Sequence, residues 1–226
     1  MILLSFFTIC IETDHTAISN QNNDWKFEKE VYPGITCYSK PEPGLSLRKF
    51  LATGLVPIEP KKLATLLWES KNRLAWDISY DSIDTIISNY TNQESNDHIM
   101  LVRLKIKPVL IVSARDFCMI QLKRNFQNNG NIGSVSFSIE DERVPVDTNF
   151  VRGEVLPGSA WFIEPVPIES SSSSTSSQVI HSRLTYIILT DIKGWVPAFA
   201  INNAVAQTFT NYYTELYRWA ENNKST

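Results

Sequence analysis

The stretch from Ser182 to Val205 constrains the fold of this chain more than any other part of it. It begins as an apolar strand, passes through a turn at Lys193-Gly194-Trp195, and continues as a helix that starts at Pro197. Apolar residues then recur at steps of three and four, which predicts a long amphipathic C-terminal helix. The apolar stripe of this helix consists of Ile201, Val205, Phe209, Tyr212, Leu216 and Trp219.

Most of the remaining chain has the pattern of strands. In Met100–Ile106 the even-numbered residues are apolar and share one face, whereas Arg103 and Lys105 indicate a face in contact with water. The apolar face needs a cover, and the C-terminal helix is the only element long enough to provide it. The pattern therefore predicts an α+β fold in which a curved antiparallel sheet wraps around this helix. Strands are predicted at residues 25–31, 35–38, 45–56, 83–87, 99–106, 117–123, 134–139, 150–156, 161–166 and 184–189, with short helical segments at 63–67 and 72–77.

Composition and residue spacing exclude several classes of function. The formal net charge of −3 and the lack of a Lys/Arg run argue against a nucleic-acid partner. Cys10, Cys37 and Cys118 are an odd number without metal-ligand spacing, and the three histidines are scattered, so we expect no metal or other cofactor. The sequence also has no Ser-His-Asp, Cys-His or paired-carboxylate arrangement, and we do not expect an enzyme.

The apolar run Ile2–Ile11 leaves two interpretations open. It is too short to span a bilayer, but it fits a signal peptide that is cleaved after about residue 19, near Ala17-Ile18-Ser19. No basic residue precedes the run and two acidic residues follow it, which favours a short packing helix instead. Farther along the chain, the Ser/Thr tract at residues 170–177 predicts a flexible hairpin loop.

Five segments, taken in order, resemble the START domain, the steroidogenic-acute-regulatory-protein-related lipid transfer domain. The resemblance covers residues 24–221 and leaves residues 1–23 as an N-terminal segment and 222–226 as a tail. It implies a helix-grip fold that encloses a tunnel for one lipid. The five segments are Asp24-Trp25 with Gly34–Tyr38, Asn72–Asp77, Val112–Phe117, Phe150–Gly153 with Pro157-Gly158, and Thr190–Pro197 with Asn202–Val205.

The resemblance also implies a site for the lipid head group. By their positions around Trp76, Arg73 and Asp77 match the pair that holds the phosphate in the phosphatidylcholine-transfer members. A guanidinium offers a two-pronged fork to phosphate oxygens, and a carboxylate one turn away fixes its orientation. The alternative is an exposed i,i+4 ion pair that contributes little.

The choice of lipid departs from both of the family's familiar patterns. The aromatic cage for choline would fall at Leu104 and Leu156, and leucine has no cation–π attraction. The polar pair of the sterol-carrying branch would fall at Val102 and Gln121, so that pair is missing. We therefore expect a phospholipid, with altered or relaxed head-group choice. The predicted tunnel lining consists of Met100, Val102, Leu104, Phe117, Met119, Gln121, Leu156, Ile201, Val205, Phe209 and Tyr212.

The segment Lys107–Ser113 falls where the family has a loop over the tunnel mouth. The apolar residues Val109, Leu110 and Ile111 are predicted to contact a membrane surface during lipid exchange. A buried continuation of the preceding strand would have the same apolar pattern, so this alternative also stays open.

Other conspicuous residues are expected to be structural. The adjacent pair Arg115-Asp116 stands at a loop-to-strand junction, where such pairs commonly fix the loop. Asp191 and Lys193 are expected to stabilise a turn and a helix terminus. Trp161 and Trp195 are expected in the core, since large aromatic residues are usually buried.

The sequence thus predicts a monomeric, non-enzymatic lipid-transfer protein that carries one phospholipid between membranes. It would be cytoplasmic with transient membrane association, or exported if the N-terminal signal is real. Two other functions stay open. One is a sensor or tether that binds a sterol or another lipid and acts through a partner. The other is a cyclase-like enzyme of the helix-grip group.

Overall fold

The computed structural model describes residues 24–92, 97–126, 129–168 and 179–223. The predictions for residues 1–23 and for the Ser/Thr tract lie outside the described residues. Three helices are described: α1 (Pro60–Trp68), α2 (Ser70–Leu74) and α3 (Ala198–Asn222). The strands are β1 (Lys26–Tyr32), β2 (Ile35–Pro41), β3 (Arg48–Val56), β4 (Tyr80–Asn92), β5 (Asp97–Ile106), β6 (Arg115–Asn125), β7 (Ile132–Ser138), β8 (Val151–Arg152), β9 (Glu154–Val155), β10 (Ser159–Ile168), β11 (Val179–Ile188) and β12 (Thr190–Asp191).

One large antiparallel sheet dominates the molecule. Its strands are ordered β1-β2-β3-β11-β10-β7-β6-β5-β4, and the short β8 pairs with β6 in parallel. β12 and β9 form a separate two-stranded ribbon. The sheet together with the long C-terminal helix confirms the predicted helix-grip α+β fold.

Two glycines shape the sheet, Gly34 through its positive φ and Gly153 through a close approach to a neighbouring ring. Gly34 adopts a φ of 78° in the turn between β1 and β2, where its N–H donates to Oε1 of Glu30 at 2.7 Å. A Cβ at Gly153 would lie 2.4 Å from the Phe117 ring, so only glycine fits beside this ring. Gly153 also separates β8 from β9, which explains why the single strand predicted at 150–156 is two short ones.

The helix α3 packs against the sheet through the predicted apolar stripe. Phe209, Tyr212 and Leu216 are fully buried, as is Tyr213 beside them. The Tyr213 hydroxyl donates to the carbonyl of Ala52 on β3 at 3.1 Å. Burial of such side chains stabilises the fold by about 1.5–3 kcal/mol each, so the stripe holds the helix firmly against the sheet.

The outer face of β5 and β6 is less exposed than the sequence pattern predicts. Leu101 and Cys118 pack there against Val144, which lies in the segment that follows β7. Arg103 and Lys105 pair with Asp116 and Asp147 instead of facing open water. The connection between β7 and β8 therefore covers this face, which local strand patterning could not indicate.

The expectation of a core position is correct for Trp161 and wrong for Trp195. Trp161 is buried, whereas Trp195 is 93 % exposed. The two preceding residues, Lys193 and Gly194, both have a positive φ, of 51° and 75°. This tight turn directs the chain away from the sheet before α3 begins, so the Trp195 side chain reaches solvent.

Candidate functional site

A cavity of about 240 Å³ lies between the sheet and α3. Its walls are mostly apolar, which is typical of a site for a hydrophobic ligand. Of the predicted tunnel lining, the residues on its wall are Leu104, Phe117, Met119, Gln121, Ile201, Val205 and Tyr212. The structure places the other four elsewhere: Val102 and Phe209 are packed without exposure, Met100 lines a small neighbouring void, and Leu156 lies off the cavity wall.

Arg73 and Asp77 lie together on the cavity wall. Arg73 is the buried residue of the short helix α2, and Asp77 follows one turn later. Nε and Nη2 of Arg73 donate to Oδ2 of Asp77 at 2.8 and 2.7 Å. The other carboxylate oxygen, Oδ1, accepts from the backbone N–H of Ser79 at 3.1 Å. Both side chains are more than nine-tenths buried, so this is not the exposed surface pair of the alternative interpretation.

The Arg73 guanidinium is surrounded by aromatic rings. Its central carbon lies 4.9, 5.2 and 4.7 Å from the ring centres of Trp76, Tyr80 and Tyr212. Burial disfavours the charged guanidinium, but its interactions with Tyr80 and Asp77 outweigh that effect and raise the pKa of Arg73. Arg73 therefore stays charged inside a mostly apolar enclosure, paired with Asp77.

Three tyrosines complete this polar end of the cavity. Tyr80, Tyr186 and Tyr212 all line the wall, and the rings of Tyr186 and Tyr212 lie 5.0 Å apart. Burial raises the pKa of each phenol, so all three keep their proton at neutral pH. Sequence reasoning missed Tyr80 and Tyr186, because residues so far apart in the chain meet only through the sheet and carry no shared local pattern.

Positive charge exceeds negative charge on the cavity wall. Among the described lining residues, Arg48, Arg73, Lys107 and Arg115 are basic and only Asp77 is acidic. The whole chain, in contrast, has a formal net charge of −3. The enclosure therefore favours an anionic group in its ligand over a cationic one.

Arg115 joins two segments at one end of the cavity. Its Nη1 donates to the carbonyl of Ser113 at 2.5 Å, while Nε and Nη2 donate to the carbonyls of Ile192 and Lys193 at 3.0 and 3.3 Å. The guanidinium thus ties the loop between β5 and β6 to the turn before α3. This arrangement fits the structural role that the sequence predicts for the Arg115-Asp116 pair.

The exposed apolar side chains at this end belong to the same two segments. Leu110 and Ile111 form the tip of a turn closed by reciprocal hydrogen bonds between Val109 and Val112, of 2.9 and 3.0 Å. The Leu110 and Ile111 side chains are 64 % and 72 % exposed, whereas Val109 lies on the cavity wall. The loop is thus not a buried continuation of β5. Across the Arg115 tie, Trp195 is exposed in the turn, as is Phe199 in the first turn of α3.

A model of the START domain family matches residues 12–226 of this chain. The chain belongs to the START family. The human StAR-related lipid transfer protein 4 is 27 % identical over 199 residues, which cover 88 % of this chain and 87 % of that protein. The human StAR-related lipid transfer protein 6 is 23 % identical over 197 residues, covering 86 % and 81 %. The solved structure of human StAR-related lipid transfer protein 5 has the same fold, with a TM-score of 0.75 at 19 % identity over 92 % of this chain and 91 % of that one.

Membership of the START family implies lipid binding or lipid transfer. Proteins of this family are generally non-enzymatic carriers, and their ligands are lipids. Within the described part of the chain, no cluster of three His, Cys, Asp or Glu side chains is placed to hold a metal ion. None of the described helices has both the length and the apolar character needed to cross a bilayer. The bounds of 24–221 for the domain stay a prediction.

Proposed function

We propose that this protein carries one phospholipid at a time between membranes, with Arg73 as the ligand of the phosphate. The observation that carries the proposal is the buried Arg73–Asp77 pair on the wall of an apolar cavity whose lining has an excess of positive charge. A phosphodiester taken out of water requires a fixed counter-charge, and the planar guanidinium matches the geometry of its oxygens. Asp77 holds the guanidinium in place for that contact.

An apolar cavity suits a carrier because it makes transfer nearly balanced. Burying about thirty methylene groups of two acyl chains at ~0.8 kcal/mol each is worth about 25 kcal/mol. A bilayer gives the same gain, so the lipid can leave the cavity as readily as it enters. Without the protein, the lipid would have to pass through water and lose this free energy. The cavity provides a route that avoids that loss.

Loading of a two-chain lipid requires the cavity to widen. Its volume of about 240 Å³ is below the roughly 300–1,000 Å³ typical of small-molecule sites. The loop between β5 and β6 and the turn before α3 are joined by the Arg115 side chain and not by strand pairing. We expect these two segments to separate when lipid enters or leaves.

The exposed apolar residues at this end supply the membrane contact. Leu110, Ile111 and Trp195 stand on the two segments that Arg115 joins, and Phe199 follows in the first turn of α3, beside the cavity that the lipid must reach. Burying such side chains in the bilayer interface places the opening against the donor or acceptor membrane. The contact is transient, because a few side chains give only marginal affinity.

The test combines lipid identification with a variant that removes the charged pair as a unit. Mass spectrometry of the purified protein should find phospholipid, and labelled phosphatidylglycerol should move between vesicles. Arg73→Met with Asp77→Leu avoids leaving one buried charge unpaired and so preserves the fold. We expect this double variant to lose roughly 10- to 100-fold in phospholipid affinity, the worth of a charged hydrogen bond.

A second, partly buried ion pair gives the control. Arg124 and Asp97 form hydrogen bonds of 2.6 Å and lie off the cavity wall. Arg124→Met with Asp97→Leu changes charge and volume in the same way and should transfer lipid normally. Normal phospholipid transfer by the Arg73/Asp77 double variant would contradict the proposal.

A compact lipid such as a sterol is the second candidate, and the small cavity volume favours it. A sterol presents a single hydroxyl and needs no counter-charge. If the purified protein carries sterol and transfers no phospholipid, the second candidate replaces the first.

A further inference from the structure

We propose that the hydroxyl of Tyr212 on α3 donates a hydrogen bond to an oxygen of the bound lipid's polar group. This inference deepens the proposed function, on which it rests. The acceptor oxygen belongs either to a phosphate or to a lipid hydroxyl, because both accept from a phenol in the same way. Tyr212 is thereby a specificity-determining residue that joins the long helix to the ligand.

The Tyr212 hydroxyl is a buried polar group that lacks a partner. The side chain is 1 % exposed and lines the cavity, and its hydroxyl makes no hydrogen bond of normal geometry with any described residue. The Arg73 guanidinium carbon lies 4.7 Å from the ring centre, and its proximity to the phenol favours the charged form, but no Arg73 N–H reaches the hydroxyl with hydrogen-bond geometry. A buried donor without a partner costs stability, so its position at the polar end of a cavity points to a ligand.

The surroundings of Tyr212 select an acceptor over a cation. The Arg73 guanidinium already covers a face of each of the Trp76, Tyr80 and Tyr212 rings, where the ammonium of a head group would otherwise bind. Nε and Nη2 of Arg73 are engaged by Asp77, and Nη2 also donates to the Tyr80 hydroxyl at 3.4 Å, which leaves Nη1 outside the Asp77 pair. The guanidinium and the phenol therefore offer donors to the same space.

The neighbouring Tyr213 has the opposite arrangement and serves as the control. Its hydroxyl donates to the carbonyls of Ala52 and Leu184, at 3.1 and 3.4 Å, and the residue is absent from the cavity wall. Tyr213→Phe thus removes a hydroxyl that bonds to the protein backbone. Tyr212→Phe removes a hydroxyl that is proposed to bond to the ligand. In both cases the ring and its packing remain.

The experiment measures melting temperature and lipid affinity of full-length wild type, Tyr212→Phe and Tyr213→Phe. The probes are vesicles that contain either labelled phosphatidylglycerol or labelled cholesterol. We expect Tyr212→Phe to keep or raise the melting temperature without lipid and to weaken lipid binding about 2- to 12-fold. Tyr213→Phe should lower the melting temperature by about 2–4 °C and leave lipid affinity unchanged.

The two lipid arms separate the outcomes. If Tyr212→Phe binds phosphatidylglycerol more weakly than the wild type does, the acceptor is assigned to the phosphate and both proposals are supported. Wild-type binding of cholesterol alone, weakened by Tyr212→Phe, supports the role of Tyr212 but overturns the phospholipid proposal. Equal affinity of wild type and Tyr212→Phe for the lipid that binds overturns the role of Tyr212. Failure of the wild type to bind either lipid overturns both.

Discussion

At the scale of single residues, Asp116 shows how a charge is stabilised in the wall behind the cavity. Its carboxylate has no solvent exposure and accepts hydrogen bonds from Arg103, at 2.8 and 3.1 Å, and from Arg152, at 2.8 and 2.9 Å. Burial alone would raise the pKa of Asp116, but the hydrogen bonds from the two guanidinium groups outweigh it and lower the pKa. Asp116 thus fixes the start of β6 to β5 and β8.

We predict that Asp116→Asn lowers the free energy of unfolding by about 3–5 kcal/mol at neutral pH, because two guanidinium groups lose their counter-charge. Since the pKa of Asp116 is lowered by folding, its contribution is present above the unfolded value of about 3.9 and is lost as the pH falls through the folded value. Urea unfolding should show a smaller difference between wild type and variant at pH 3 than at pH 7.

The control for this prediction is the exposed pair of Asp141 and Arg143, which has a similar geometry at the surface. Asp141→Asn should change stability little, because surface pairs contribute little. A difference between wild type and Asp116→Asn that stays constant between pH 7 and pH 3 would contradict the linkage.

At the scale of elements, the link between the β5–β6 loop and the turn before α3 depends on one side chain. Arg115 is buried and its hydrogen bonds all go to neutral groups, the carbonyls of Ser113, Ile192 and Lys193 and the hydroxyl of Ser113. Burial without a charged partner lowers the pKa of Arg115. The link between the two segments therefore consists of hydrogen bonds from one guanidinium to neutral acceptors.

We predict that Arg115→Met separates the two segments without unfolding the sheet. Loss of these hydrogen bonds should cost roughly 1–3 kcal/mol locally and should accelerate amide hydrogen exchange at Val109 and Val112. Amides of β10 and β11 should keep their protection. Arg115→Lys keeps a hydrogen-bond donor that is shorter and not branched. Its exchange rates at Val109 and Val112 should lie between those of wild type and Arg115→Met. Unchanged protection at Val109 and Val112 in Arg115→Met would show that the loop does not depend on this side chain.

The elements differ in how far the sequence predicts them, for physical reasons. The α3 stripe and the inward face of β5 follow from short-range periodicity, and half of the stripe (Phe209, Tyr212, Leu216) and most of the β5 face are buried. The cover over the outer face depends on Val144, which meets Leu101 only in the folded chain. Trp195 violates the general preference of Trp for the core because two consecutive positive φ angles precede it, and no propensity scale includes that geometry.

The candidate site is predictable to a similar extent. The pairing of Arg73 with Asp77 follows from the sequence because one helical turn separates them and a family motif includes them. Tyr186 belongs to β11 and Tyr212 to α3, and their meeting with Arg73 requires the whole sheet to close on the helix. The unpartnered hydroxyl is a property of three-dimensional packing, so the sequence alone contains no signal for it.

At the scale of the whole molecule, charge and apolar surface are separated. The chain is acidic overall while its cavity wall is basic, and exposed apolar side chains stand on the two segments that Arg115 joins. A lipid that leaves a membrane would therefore meet apolar contacts first and a fixed positive charge inside. This sequence of environments suits the proposed phospholipid, which has acyl chains and an anionic head group.

We predict that removing the exposed apolar tips slows lipid transfer without altering the cavity. Leu110→Ser with Trp195→Ser should weaken vesicle binding by about ten-fold or more, because two large side chains no longer enter the bilayer interface. The melting temperature and the lipid already bound should be unchanged, since both side chains are mostly exposed in the free protein.

Val146 provides the matched control, because it is 65 % exposed and stands on the segment that covers the outer face of the sheet, away from the cavity wall. Val146→Ser removes exposed apolar surface from a different part of the molecule and should leave both vesicle binding and transfer rate intact. If Val146→Ser weakens vesicle binding as much as the double variant does, the membrane contact is not confined to this end. If neither variant changes binding while transfer continues, lipid reaches the cavity by another route, and the two segments joined by Arg115 are not its entrance.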